Sequence, residues 1–274
     1  MAKSIQQTFQ SLRAEQRIAL MPFVPAGYPD LETTAACILS LQAAGASLIE
    51  VGFPFSDPIA DGPTIQEAFT YSLDRGVRIG QIIDAVKSIR ERVTIPLVAM
   101  LSYSIVYRYG LEKFVRDLRD AGFAGLILPD LPPPAGPERG RGEAQKVCAT
   151  VRAGGLDTIL LVAPTTSPER RIEIARLCSG FIYYLSVSGI TGERDQLPPD
   201  LAANVRELKS NTDVPICIGF GIHRAQQIEQ LRGLADGAII GTAFVRRMKL
   251  SLDLGPERIA QAVAKYCREL AVTD

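Results

Sequence analysis

Ala19-Leu20-Met21-Pro22-Phe23-Val24, then Leu31–Ala44, then Leu48-Ile49-Glu50-Val51 is the stretch that decides the fold. The first and last pieces are short apolar runs. The middle piece spaces Ala35, Ile38, Leu39, Leu41 and Ala44 at roughly the helical period, and Asp30 stands where an N-cap belongs. Together they read as strand, helix, strand. The same alternation runs on through the chain. Further strands are predicted at Leu97–Leu101, Gly125–Leu128, Thr158–Val162, Phe181–Leu185, Pro215–Ile218 and Ala238–Ile240. Phe114, Val115, Leu118 and Ala121 predict a helix that stops at Gly122. Pro168–Leu177 and Ala225–Leu231 are further helical segments, with Ser167 and Asp200 as N-caps.

Eight apolar strands separated by helices predict a parallel sheet covered on both faces. An open doubly wound sheet and a closed (β/α)8 barrel both satisfy that pattern. The barrel is preferred, because eight units in roughly 250 residues match its size. No GxGxxG follows the first strand, as a dinucleotide fold would want. The expected architecture is therefore one TIM-barrel domain over residues 1–274, with Ser4–Ala14 as an extra N-terminal helix closing the bottom. The last helices are expected from Phe244 to about Ala271, broken at Gly255-Pro256. Pro132-Pro133-Pro134-Ala135-Gly136-Pro137, continuing to Gly142, reads as a loop inside the domain, since the alternation resumes on both sides.

Composition narrows the function. Lys+Arg is 30 and Asp+Glu is 30, so no basic excess points to nucleic acid or an anionic membrane. Met1 to Arg17 has charges and no apolar signal-peptide core, and Ile159–Pro164 is too short to span a bilayer. Five scattered cysteines without a CxxC predict reduced thiols and a cytoplasmic protein. His223 is the only histidine, which excludes a His-rich metal site; no metal is expected.

In a barrel of this kind the active site lies at the C-terminal ends of the strands. Glu50 falls inside an apolar strand, where desolvation raises a carboxyl pKa and suits it to exchange protons near neutrality. Asp61 follows in a loop, where a wetter setting would keep it ionised; unlike carboxylates can divide acid and base roles. Plainer roles stay open: Glu50 as a rim residue or ion pair, Asp57 and Asp61 as turn residues, Asp130 as a holder of the Pro-rich loop. Gly189-Ile190-Thr191-Gly192, Gly219-Phe220-Gly221 and Gly241-Thr242 follow the sixth, seventh and eighth strands. Backbone N–H groups at such turns bind phosphate. His223 is read as starting or capping a helix. Lys87, Lys113, Lys146, Lys209, Lys249 and Lys265 fall in helical segments and Lys3 before the first, so no lysine sits where a Schiff base would form. The residues thus point to carboxylate acid–base chemistry on a phosphorylated substrate.

Glu50-Val51-Gly52-Phe53-Pro54-Phe55-Ser56-Asp57-Pro58-Ile59-Ala60-Asp61-Gly62-Pro63-Thr64-Ile65-Gln66 resembles the signature of the tryptophan synthase alpha-chain family. Pro22–Asp30, Leu128–Pro132, Gly189–Gly192, Gly219–Ile222 and Gly241–Ala243 extend the resemblance in order from about Ile18 to Met248. It implies retro-aldol cleavage of indole-3-glycerol phosphate, with Glu50 as the acid–base group and Asp61 as partner of the indole N–H. Phe23, Leu101 and Leu128 would line the indole pocket and Tyr183 would lie beside the substrate. Gly192, Gly221, Gly241 and Thr242 would hold phosphate. Thr191–Leu197 resembles a mobile lid, bringing Thr191 towards Asp61.

The resemblance further implies a tryptophan synthase beta chain as partner in an αββα assembly. Pyridoxal phosphate would sit in that partner and no cofactor in this chain. Pro54, Asp57, Pro58 and Asp130 are the candidate contacts. Ser102-Tyr103-Ser104-Ile105, Thr242 in place of a common Ser, and the Pro137–Gly142 stretch depart from the family pattern. The rivals are another phosphosugar barrel such as an isomerase or epimerase, a lyase that works alone, and a non-catalytic activator of a beta subunit.

Overall fold

The computed structural model describes residues 2–57, 61–131, 142–185, 198–219 and 221–271. Its strands are β1 (Ala19–Pro25), β2 (Ile49–Gly52), β3 (Leu97–Met100), β4 (Gly125–Ile127), β5 (Asp157–Val162), β6 (Ile182–Leu185), β7 (Ile216–Gly219) and β8 (Gly237–Ile240). Each pairs in parallel with the next, and β8 closes on β1. The open-sheet alternative is thereby removed. Every predicted strand lies within one residue of the observed bounds.

The helices are α1 (Ile5–Ala14), α2 (Leu31–Ala43), α3 (Pro63–Asp74), α4 (Ile79–Ile89), α5 (Tyr103–Tyr109), α6 (Leu111–Ala121), α7 (Glu143–Ala153), α8 (Pro168–Leu177), α9 (Leu201–Lys209), α10 (Ala225–Leu231), α11 (Thr242–Leu250) and α12 (Pro256–Ala271). Asp30 caps α2 by accepting the Thr33 N–H at 2.6 Å, and Ser167 caps α8 through the Arg170 N–H. Asp200 is the N-cap of α9 in a helical conformation, and its side chain takes no backbone N–H. It accepts instead from Asn204 Nδ2 at 3.3 Å. Gly122 ends α6 at φ 97°, a left-handed conformation that glycine adopts without a steric penalty.

Three regions depart from expectation. The β2–β3 connection holds a helix pair, α3 and α4, and α5 inserts a short extra turn before α6. The C-terminal break is also wider than Gly255-Pro256. It starts at Ser251, passes through a 3₁₀ turn (Leu252–Leu254) and ends where Gly255, at φ 83°, lets Pro256 open α12. The Pro-rich segment lies outside the described residues up to 141; Gly142 is the N-cap of α7.

The barrel interior is filled from below. Ala19, Met21, Leu48, Val98, Ile127, Ile159, Phe181, Tyr183, Cys217 and Ile239 face inward and pack with Ile5, Phe9 and Leu12 of α1. This helix is the predicted bottom plug, fixed by a Ser4–Gln7 capping box and by ring contact of Phe9 with Phe181 at 6.2 Å. A plugged lower half leaves chemistry only at the upper, C-terminal mouth. No helix among the described residues is long and apolar enough to cross a membrane.

Candidate active site

Side chains on a strand alternate faces, so Leu48 facing inward puts Glu50 and Gly52 inward above it. Glu50 is 1% exposed, and neither carboxyl oxygen has a hydrogen-bond partner among the described residues. A charge there would be desolvated and unpaired, so burial raises its pKa to about 8 and the group is protonated at neutral pH. The alternatives of a rim residue or a structural ion pair are thereby removed.

Asp61 sits directly before Gly62, the N-cap of α3, with Pro63 in the first turn. Its backbone carbonyl accepts from Gln66 Nε2 at 2.8 Å, which fixes the turn. The carboxyl is half-buried, and burial raises its pKa to about 6. This site is drier than the sequence suggests, yet Asp61 remains mostly ionised at neutral pH. The two carboxyls therefore rest in opposite protonation states.

Tyr183 on β6 feels the fields of both carboxyls. Its buried hydroxyl is held well above the ordinary tyrosine range, first by desolvation and then by the fields of Glu50 and Asp61. Its ring fits only because Gly219 on β7 has no side chain: a Cβ there would lie 2.6 Å from the Tyr183 hydroxyl oxygen. Gly219 thus serves space for Tyr183, a role that sequence reasoning missed.

Phe23 is the cross-strand partner of Glu50 and packs against Phe69 of α3, ring centroids 6.3 Å apart. Leu101 and Leu128 are buried one residue beyond β3 and β4, in the same apolar cluster as Phe23. Gly241 adjoins that cluster: a Cβ on it would meet Ile65 Cδ1 at 3.6 Å and Phe23 Cβ at 3.9 Å. Thr242 is the first residue of α11, where N–H groups lack intrahelical partners. Gly221 has φ 84°, and its carbonyl is turned onto the His223 ring at 2.9 Å. His223 also donates its N–H to Gln227 Oε1 at 2.9 Å, so it shapes the start of α10, as expected. Thr191, Gly192, the 191–197 segment and Pro58 lie outside the described residues.

Of the expected partner contacts, Pro54 is buried and Asp57 is exposed, accepting from Ser56 Oγ at 2.7 Å. Asp130 accepts from Ser102 Oγ at 2.5 Å and from the Tyr103 N–H at 2.7 Å. It pins the start of α5 to the end of β4. All six lysines from Lys87 to Lys265 named above lie in helices. No group of three or more His, Cys, Asp or Glu among the described residues is placed to hold a metal.

The model of the family described as tryptophan synthase alpha chain matches residues 9–273. The chain belongs to the tryptophan synthase alpha-chain family. An alpha chain from Rhodopirellula baltica is 45% identical over 247 residues, covering 89% of this chain and 86% of the relative. One from Prochlorococcus marinus is 41% identical over 268 residues, covering 97% and 94%. Among solved structures, a Mycobacterium tuberculosis tryptophan synthase superposes with a TM-score of 0.83 at 36% identity, over 100% of both chains. A mutant tryptophan synthase alpha-subunit from Pyrococcus furiosus gives 0.81 at 30% identity, covering 92% of this chain and 97% of that one. These solved structures thus share the fold that carries Glu50, Asp61 and Tyr183 in this chain.

Proposed function

We propose that this chain is the alpha subunit of tryptophan synthase and cleaves indole-3-glycerol phosphate to indole and D-glyceraldehyde 3-phosphate, in the final stage of L-tryptophan synthesis. The observation that carries the reading is the Glu50 carboxyl, buried, without a hydrogen-bond partner among the described residues and held protonated near neutrality by that burial, while Asp61 stays ionised. Glu50 gives its proton to the indole carbon at the scissile bond. The positive charge that develops on the ring nitrogen is met by Asp61, which accepts the indole N–H. The Glu50 carboxylate then takes the proton of the side-chain hydroxyl as the carbon–carbon bond breaks. Its proton is restored and the cycle needs no cofactor in this chain. Phe23, Leu101 and Leu128 give the indole an apolar wall, and the Gly221 turn and the start of α11 at Gly241-Thr242 offer N–H groups to the phosphate.

Indole is apolar and would escape if released, so the natural partner is a beta chain that takes it directly, in an αββα assembly. That partner would carry the pyridoxal phosphate. Asp57 and the α5 face that Asp130 pins, with Tyr107 71% exposed on it, are the candidate docking surface. The five cysteines, free and buried, fit a reducing cytoplasm. The test is to supply indole-3-glycerol phosphate to the purified chain, with and without a beta chain, and to follow glyceraldehyde 3-phosphate by coupled NADH formation. An isomerase or epimerase gives no signal. A non-catalytic activator gives none alone. A stand-alone lyase gives a rate that the beta chain leaves unchanged.

The two carboxyls also set the pH dependence. Cleavage needs Glu50 protonated and Asp61 ionised, so kcat/KM is expected to follow a bell that peaks midway between the two values and is half-maximal at about 6 and about 8. It falls below that window as Asp61 takes a proton and above it as Glu50 loses one. Asp61→Asn keeps an acceptor oxygen but removes the charge. We expect about a 10²-fold loss in kcat and disappearance of the acid limb. Retention of that limb would assign it to another group.

A further inference from the structure

We infer that Gly52 is a positioning residue: by omitting a side chain it seats the Phe23 ring on the mouth side of Glu50, where the ring keeps water from the carboxyl and gives an indole its nearest wall. The inference rests on the proposed cleavage for its meaning and on packing for its geometry. Phe23 and Glu50 are cross-strand partners, and Gly52 is the next inward position above Glu50 on the same strand. A Cβ at residue 52 would fall 2.5 Å from Phe23 Cε2 and closer still to its Cζ. The ring therefore crosses from β1 into the space over Glu50. Phe69 Cζ lies 3.2 Å from the same point, so the ring has no room to retreat towards α3. On the β8 side Gly241 lies near the root of the Phe23 side chain, where a Cβ would be 3.9 Å from Phe23 Cβ. A methyl group at 52 must turn the ring out of this seat, either into the space for substrate or up into solvent.

The titratable groups that feel Glu50 are Tyr183 from β6 and Cys217 from β7, and Asp61 from the loop after β2 acts on the same Tyr183 hydroxyl. Tyr183 and Cys217 stay neutral across the working range, since burial pushes both up. Asp61 governs the acid side. A change confined to the alkaline limb therefore reports on Glu50.

The experiment compares wild type, Gly52→Ala, Phe23→Leu and the double variant for kcat, KM, the alkaline limb of kcat/KM, and the pH slope of unfolding stability. Gly52→Ala is expected to lower kcat by about 10²-fold, as a displacement near the reacting atoms does. It should also move the alkaline limb down by one pH unit or more, as water reaches Glu50. Phe23→Leu alone lowers activity, but in the Gly52→Ala background it relieves the clash, so the double variant outperforms Gly52→Ala. If Gly52→Ala fails to fold, recovery in the double variant carries the same information. An unmoved alkaline limb, or two losses that simply add, overturns the inference while wild-type cleavage stands. If wild type does not cleave, the proposed function falls. The inference is then read from unfolding: a pH slope between 5 and 8 that Gly52→Ala leaves unchanged overturns it.

Discussion

Glu50→Gln is expected to lower the rate of indole-3-glycerol phosphate cleavage by about 10³- to 10⁴-fold while substrate binding persists. A positioned acid or base contributes about 10²- to 10⁴-fold in typical enzymes. Here one carboxyl serves in both directions, which puts the loss at the upper end. Gln has nearly the same shape and fills the same buried space on β2, so the barrel mouth, the Phe23 ring and the phosphate-facing turns stay in place. What disappears is the exchangeable proton. Steady-state cleavage assays and calorimetric titration with a non-cleavable indole phosphate separate the two effects. Turnover within about tenfold of wild type would remove Glu50 from proton transfer. Parallel loss of binding and turnover would make its role structural.

How much of this could be read from the chain differs between frame and site. The strands were legible because a parallel barrel buries both faces and leaves continuous apolar runs. Asp30, Ser167 and Gly122 marked helix ends through local chemistry that needs no tertiary context. The short α5 was not legible: only Val106 on it is buried, so it carries no apolar stripe. α3 was masked by its own composition, since Ala68 and Ser72 take two of its four buried positions.

In the site, Glu50 announced itself as a carboxylate in an apolar strand. Asp61 did not announce its depth, because its half-burial depends on how the chain packs around the turn that opens α3 at the next residues. The roles of Gly52 and Gly219 were beyond sequence reading for a further reason. Each is defined by a ring on a neighbouring strand, Phe23 on β1 and Tyr183 on β6, and only the register of the closed sheet brings ring and gap together.

The same residue that drives the chemistry should weaken the fold as pH rises, so Glu50→Gln is expected to gain stability relative to wild type between pH 5 and 8. In the folded chain Glu50 titrates at about 8, against an ordinary value of 4.5 for the unfolded chain. Between those values the folded state holds a proton that the unfolded state has released, so raising pH favours unfolding. The advantage of the protonated group is complete below the unfolded value and lost as pH climbs through the folded one. Each pH unit in that window is worth at most about 1.4 kcal/mol, which bounds the whole effect near about 5 kcal/mol. Water reaching the site through local opening lowers it, and a widening of about 2–4 kcal/mol between pH 5 and 8 is the expected result. Gln brings an unpartnered amide that costs about 1–3 kcal/mol at every pH, much as the protonated carboxyl does, so the pH-dependent part isolates ionisation. Asp61 titrates in both proteins and largely cancels in the difference. The chain has no tryptophan, so urea unfolding is followed by far-ultraviolet circular dichroism. A stability gap that stays constant from pH 5 to 8 would mean that Glu50 is already ionised inside the barrel. It could then no longer serve as the proton donor at the start of the cycle.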